Sequence, residues 1–128
     1  KGEELDFQYQ VGHHDNGQIE QEIYSNNEHS RSNVISYYEN GQKRQEYFVN
    51  YNKQGFEVYN GPEASWYPSG QKESELNYKD GNLNGKAIYW YESGIKKSQA
   101  NYKDFKQEGV YNEWHKSGQL RFEAYYEN

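Results

Sequence analysis

Three sets of side chains in this chain have the types to do chemistry: four histidines, a column of glutamates and a column of tyrosines. The histidines raise a metal site as the first candidate. His13 and His14 are adjacent, so in a strand they point to opposite faces and cannot chelate together. They stand where the rest of the chain carries Trp or Tyr, and they read as imidazoles replacing aromatic rings. No metal is expected. Zero Cys excludes a thiol nucleophile, Cys-ligated zinc and a disulfide scaffold. The motifs G-x-G-x-x-G, G-x-S-x-G and H-E-x-x-H do not occur. The run Gly81-Asn82-Leu83-Asn84-Gly85-Lys86 has one residue too few between its glycines for a P-loop, and it lacks the closing Ser or Thr. The chain is therefore not expected to be an enzyme, and no cofactor is expected.

The glutamates and tyrosines matter because they recur in register. Gly follows Asn or Ser at Gly17, Gly41, Gly70, Gly94 and Gly118, with spacings of 24, 29, 24 and 24. Four residues before each Gly stand His13, Tyr37, Trp66, Trp90 and Trp114. Three before stand His14, Tyr38, Tyr67, Tyr91 and His115, and five after stand Glu22, Glu46, Glu75, Gln99 and Glu123. A second glycine recurs at Gly61, Gly85 and Gly109. So many aligned columns make an internal repeat, and a fixed period of this length marks a repeat architecture.

A period of 24 residues with two turn signals allows two short strands per repeat. Helix is disfavoured, because no stretch keeps a 3.6-residue apolar spacing and glycine recurs too often. Tyr67-Pro68-Ser69-Gly70-Gln71 has the form of a three-residue hairpin loop, with Pro second in a type I turn and Gly in a left-handed bulge. Such loops place Trp66 across from Lys72 and Trp90 across from Lys96. The second turn is Lys79-Asp80-Gly81, altered to Lys103-Asp104-Phe105 in the last repeat. The 29-residue interval carries five extra residues. An odd insertion inside a strand would flip every later side chain, so it is assigned to the loop Asn52-Lys53-Gln54-Gly55. The predicted fold is all-β: an antiparallel meander of about ten strands, built of 24-residue β-hairpin repeats, forming one elongated, twisted sheet. Residues 1–128 make a single domain.

Parity assigns the columns to faces. Apolar residues occupy even offsets on both sides of each turn glycine, among them Ile35, Ala64, Ile88 and the Trp column before it and Tyr47, Val49, Leu76, Tyr78 and Phe122 after it. These are expected on one aromatic face. Lys43, Lys72 and Lys96 join them, their stems covering the rings of Tyr37, Trp66 and Trp90. The odd columns, Tyr38, Tyr67, Tyr91 and His115 with Glu46, Glu75 and Glu123, are expected together on the opposite, polar face. Equivalent carboxylates then lie roughly 9.6 Å apart, twice the strand spacing. That is too wide to clasp one cation and about one Debye length at 0.1 M salt. The ordinary role for the glutamates is cross-strand pairing with Lys and Arg; the sharper one is a ladder facing a basic partner. Exposed Tyr gives rigid contact area at low entropy cost, yet Tyr is also simply favourable in strands. Tyr38, Tyr67, Tyr91, His115, Glu46, Glu75 and Glu123 are the candidate partner-binding residues.

Composition bounds the rest. Leu, Ile, Val and Phe together make 19 of the 128 residues, below the ~20% that flags disorder, but 15 Tyr and 3 Trp make this an aromatic-built globular chain. The net charge of −6 argues against nucleic acid, whose phosphates need clustered Lys and Arg. No apolar run approaches the ~20 residues of a membrane span. The chain opens at Lys1 and holds no Met, which reads as a piece of a longer product. A removed signal peptide, tag or upstream domain would each account for that.

The run Trp66-Tyr67-Pro68-Ser69-Gly70-Gln71-Lys72-Glu73-Ser74-Glu75, followed by Tyr78-Lys79-Asp80-Gly81 and Gly85, resembles the MORN-repeat variant of bacterial proteins. The resemblance is strong from Val34 to Asn128 and weaker from Leu5 to Asn33. It departs at His13-His14, at Ser32 in place of the second glycine, and at Phe105. Many such proteins are named YwqK-like antitoxins. The resemblance thus implies a protein partner, a toxin that the chain binds and neutralises, and it brings no catalytic residues. A basic toxin would suit the acidic surface. The alternative is a structural or cell-envelope scaffold with no toxin partner, and self-association fits that reading. MORN repeats of eukaryotes are linked to lipids, but the charge of −6 disfavours anionic bilayers. The implied compartment is the bacterial cytoplasm, or the periplasm or envelope had a signal peptide preceded Lys1.

Overall fold

The computed structural model describes residues 7–26 and 30–127. The chain forms β1 (Phe7–His13), β2 (Ile19–Asn26), β3 (Arg31–Tyr37), β4 (Lys43–Tyr51), β5 (Glu57–Tyr59), β6 (Gly61–Trp66), β7 (Lys72–Lys79), β8 (Asn82–Leu83), β9 (Gly85–Trp90), β10 (Lys96–Lys103), β11 (Lys106–Gln107), β12 (Gly109–Trp114) and β13 (Leu120–Tyr126). All lie in one antiparallel sheet whose main path is β1-β2-β3-β4-β6-β7-β9-β10-β12-β13. The short β5, β8 and β11 pair with β4, β7 and β10. The path has ten positions, and chain order equals spatial order throughout. This is the meander expected from the sequence.

The first turns have the expected geometry. Gly70 donates its N–H to the Tyr67 carbonyl at 2.9 Å, and Tyr67 donates its own to the Gln71 carbonyl at 2.8 Å. The same pair of bonds closes the turns at Gly17, Gly41, Gly94 and Gly118. Gly70 has φ +91°, a left-handed value that disfavours any side chain. Trp66 faces Lys72 and Trp90 faces Lys96, as the loop length predicts.

The five-residue insertion falls where expected and splits in an informative way. Asn52-Lys53-Gln54-Gly55-Phe56 closes as another three-residue loop, with Gly55 donating to Asn52 at 2.9 Å. In the two later repeats the second turn has two central residues, as at Asp80 and Gly81 with φ 50° and 84°, flanked by the pair Lys79–Asn82. The odd residue therefore enters the loop, and the remaining four lengthen the two strands evenly. Alternation survives. The second glycine marks a two-residue step, where Asn60, Asn84 and Glu108 donate N–H to the carbonyls of Phe48, Asn77 and Asn101 at 2.8–3.0 Å. Ser32 replaces that glycine in the first repeat, and β2 and β3 pair there without any step.

One expectation fails, with consequences for the site. Even offsets on both sides of a turn do not share a face. In every hairpin the register shifts just past the turn, between Ser65 and Trp66 for example, leaving one residue of the second strand unopposed. Those residues are Glu20, Arg44, Glu73, Lys97 and Arg121. A β-bulge of one residue inverts the alternation beyond it. Tyr47, Val49, Leu76, Tyr78 and Phe122 therefore leave the Trp column and project from the opposite face. Both faces are mixed. On the tryptophan face a row runs Val11, Glu22, Ile35, Glu46, Ala64, Glu75, Ile88, Gln99, Asn112, Glu123 across all ten strands. The tyrosine face carries Val34, Val49, Ala87, Ala100 and Ser74, the most buried side chains of the described residues. Small residues and tyrosines pack there, with Tyr47 against Tyr59 and Tyr59 against Tyr78 at centroid distances of 5.1 Å. Among the described residues the sheet thus has a core on one side with no second layer above it.

Candidate functional site

The bulges separate the two halves of the expected site. The tyrosine column lies on the turn rim of the tyrosine face, and the glutamate column lies on the tryptophan face. They do not form one polar surface.

The tyrosines are also occupied. Tyr38 donates its hydroxyl to the Trp66 carbonyl at 2.7 Å, Tyr67 to the Trp90 carbonyl at 2.7 Å, and Tyr91 to the Trp114 carbonyl at 2.8 Å. His14 makes the equivalent contact to the Tyr37 carbonyl at 2.9 Å. Each ring is half-buried between its own turn and the next. The column is a line of stitches binding repeat to repeat. Asn16 and Asn40 add a parallel set, donating to the Glu39 and Pro68 carbonyls at 3.0 and 2.9 Å. His115 ends the line and is exposed. A guanidinium lies 5.9 Å from the Tyr38 ring (Arg44) and an ammonium 5.8 Å from the Tyr91 ring (Lys97), both from bulge residues.

The glutamates sit among aromatic rings and lysines. Glu46 pairs with Lys43 at 3.1 Å and Glu75 with Lys72. Each pair spans the bulge, which brings residues three apart to the same side. Trp66 lies between the two ammonium groups, with Lys43 at 5.7 Å and Lys72 at 5.8 Å from its ring centre. The expected covering of rings by lysines is therefore present at Trp66. Glu123 is exposed on the last strand. The tryptophan face thus presents three half-buried indoles, with Trp66 framed by paired charges, a surface able to take apolar anchors at its centre and charged groups at its rim.

Glu22 is a participant that the sequence reading passed over. It accepts hydroxyls from Tyr9 at 3.2 Å, Tyr24 at 3.2 Å and Tyr37 at 3.1 Å. Burial and this carboxylate push the Tyr37 phenol up to about 12. Tyr9 and Tyr24 are raised for the same reasons, burial first. The signal was present, since Glu22 stands in the glutamate column, but three tyrosines converge on it only through cross-strand register.

Among the described residues no group of three or more His, Asp or Glu could hold a metal ion, and no helix is long and apolar enough to cross a membrane. No curated protein and no solved structure matches the chain. The family described as MORN repeat variant matches residues 33–51, 59–80, 83–104 and 107–128. These four segments coincide with the strand pairs that surround the first turns at Gly41, Gly70, Gly94 and Gly118, and they cover more than half of the chain. The chain belongs to the MORN repeat variant family.

Proposed function

We propose that this protein is a protein-binding repeat module that acts in a bacterial cell as an antitoxin or immunity protein. It would bind and neutralise a cognate toxin through the tryptophan face. One observation carries the reading: ten strands place Trp66, Trp90 and Trp114 in line beside Glu46, Glu75 and Glu123, and among the described residues no second layer covers them. Sheets normally bury such a face against another element. MORN repeats generally serve as protein- or membrane-binding modules, and the charge of −6 favours a basic protein over an anionic bilayer.

The glutamates then act mainly on association rate, which should fall as salt is added. The test pairs this chain with toxins encoded beside its gene and scores growth on co-expression. The wild type should protect, and a folded Glu75→Lys, Glu123→Lys double variant should protect less. Full protection by that variant would remove the tryptophan face from binding. No protection by the wild type against any neighbouring toxin would remove the antitoxin reading. A scaffold role without a toxin is favoured by a different observation: among the described residues neither outer strand has a partner on its far side.

A further inference from the structure

We propose that this chain assembles head to tail with copies of itself, β13 of one copy pairing antiparallel with β1 of the next. This goes beyond toxin binding and does not depend on it.

Of the thirteen exposed large hydrophobic side chains among the described residues, seven lie on the two outer strands of the sheet. Phe7, Tyr9 and Val11 on β1 are 58%, 48% and 42% exposed, and Leu120, Phe122, Tyr125 and Tyr126 on β13 are 53%, 50%, 69% and 40% exposed. Among the described residues neither outer strand has a partner on its far side. Natural proteins usually protect such edges with charges, proline or bulges. The sequence of β1, Phe-Gln-Tyr-Gln-Val-Gly-His, holds no charge and no proline over seven residues.

The repeat itself supplies the occupant and the register. The strand that follows β13 in the pattern is the first strand of a repeat, and β1 is such a strand. The nearest internal analogue is β2 with β3, because β1 has Gln8 where β3 has Ser32, and neither carries the glycine step. Those strands pair over six residues, from Gln21↔Ser36 to Asn26↔Arg31. Transferred to the ends, the register places Phe122 opposite Gly12 of a second copy, Glu123 opposite Val11 and Tyr125 opposite Tyr9. No like charges meet, and two exposed rings become a cross-strand aromatic pair. The stitch also continues. His115 reaches the carbonyl of His13 of the second copy, as His14 reaches that of Tyr37 at 2.9 Å. A contact of this head-to-tail kind is heterologous and extends beyond two copies. Each copy carries −6, so added salt should strengthen assembly.

Sedimentation of the 128-residue chain over a concentration series tests this. The average mass should rise past that of a dimer. A single unchanging mass overturns the proposal, and so does a series that stops at dimer, which would mean β1 pairing with β1. A Tyr9→Lys, Val11→Lys variant blocks one end and Tyr125→Lys blocks the other, with circular dichroism confirming the fold. Each alone should stay monomeric, and an equimolar mixture should form dimers only. Assembly of either variant alone, or a mixture that remains monomeric, overturns the pairing. His115→Ala leaves both strands intact and should weaken wild-type assembly roughly three- to tenfold, the worth of one hydrogen bond. Unchanged assembly would reject the register.

Discussion

Tyr67 shows what a residue's column does and does not reveal. Its spacing marks it as a repeated turn residue, and its type fits an exposed contact. The structure instead gives its hydroxyl to the Trp90 carbonyl of the next repeat. Nothing local in the sequence says where a phenol six bonds from the backbone will land, since that depends on the neighbouring turn. Tyr67→Phe should therefore cost about 0.5–1.5 kcal/mol in urea unfolding, whereas His115→Ala, at the exposed end of the same column, should cost almost nothing in the monomer. A partner-contact role alone would leave both variants as stable as the wild type. Tyr37 gives a second test. Its neutral form is favoured in the folded protein, with a folded value of about 12 against an ordinary value of 10.0. The resulting stability is complete below about pH 10 and is lost as pH rises toward 12. Glu22→Gln removes the adjacent negative charge, so Tyr37 should titrate at lower pH by phenolate absorbance and the alkaline loss should shrink. An unshifted titration would mean that Glu22 does not act on Tyr37.

At the scale of the strand and turn, loop lengths were legible because Gly and Pro carry their geometry with them. Three-residue first turns and the loop at Asn52 follow from residue types alone. The bulges were not legible. The unopposed residues are Glu20, Arg44, Glu73, Lys97 and Arg121, which share no property beyond length and charge, so no turn chemistry announces them. The last repeat offers a measure of turn strain. Phe105 occupies φ 74°, the position that Gly81 fills one repeat earlier at 84°. Phe105 is 68% exposed, so little burial is lost when its side chain is removed. A left-handed conformation costs a non-glycine residue roughly 1–2 kcal/mol, partly offset by the roughly 0.5–1 kcal/mol entropic cost of Gly. Phe105→Gly should stabilise the chain by about 1 kcal/mol or somewhat less in thermal or urea unfolding. A loss of stability would show that Phe105 makes an apolar contact that outweighs the strain.

For the whole molecule, each hairpin touches only its neighbours, so stability is close to a sum of repeat and interface contributions. The buried side chains Val34, Val49, Ser74, Ala87 and Ala100 all belong to inner strands. Amide exchange should consequently be slowest in β3, β4, β7, β9 and β10 and fastest in β1 and β13. Under conditions of head-to-tail assembly the outer strands should gain protection, and uniform protection in the monomer would reject the additive picture. The sequence by itself determined the repeat, the all-β meander, the turn types and the placement of the odd insertion, because these rest on residue types acting over a few neighbours. The tertiary structure alone decided which columns share a face. A side chain's face is a parity accumulated along the hydrogen-bond ladder, and one unopposed residue per hairpin reverses it without changing any local preference. That reversal moved the glutamates beside the tryptophans and left the tyrosines to bind one repeat to the next.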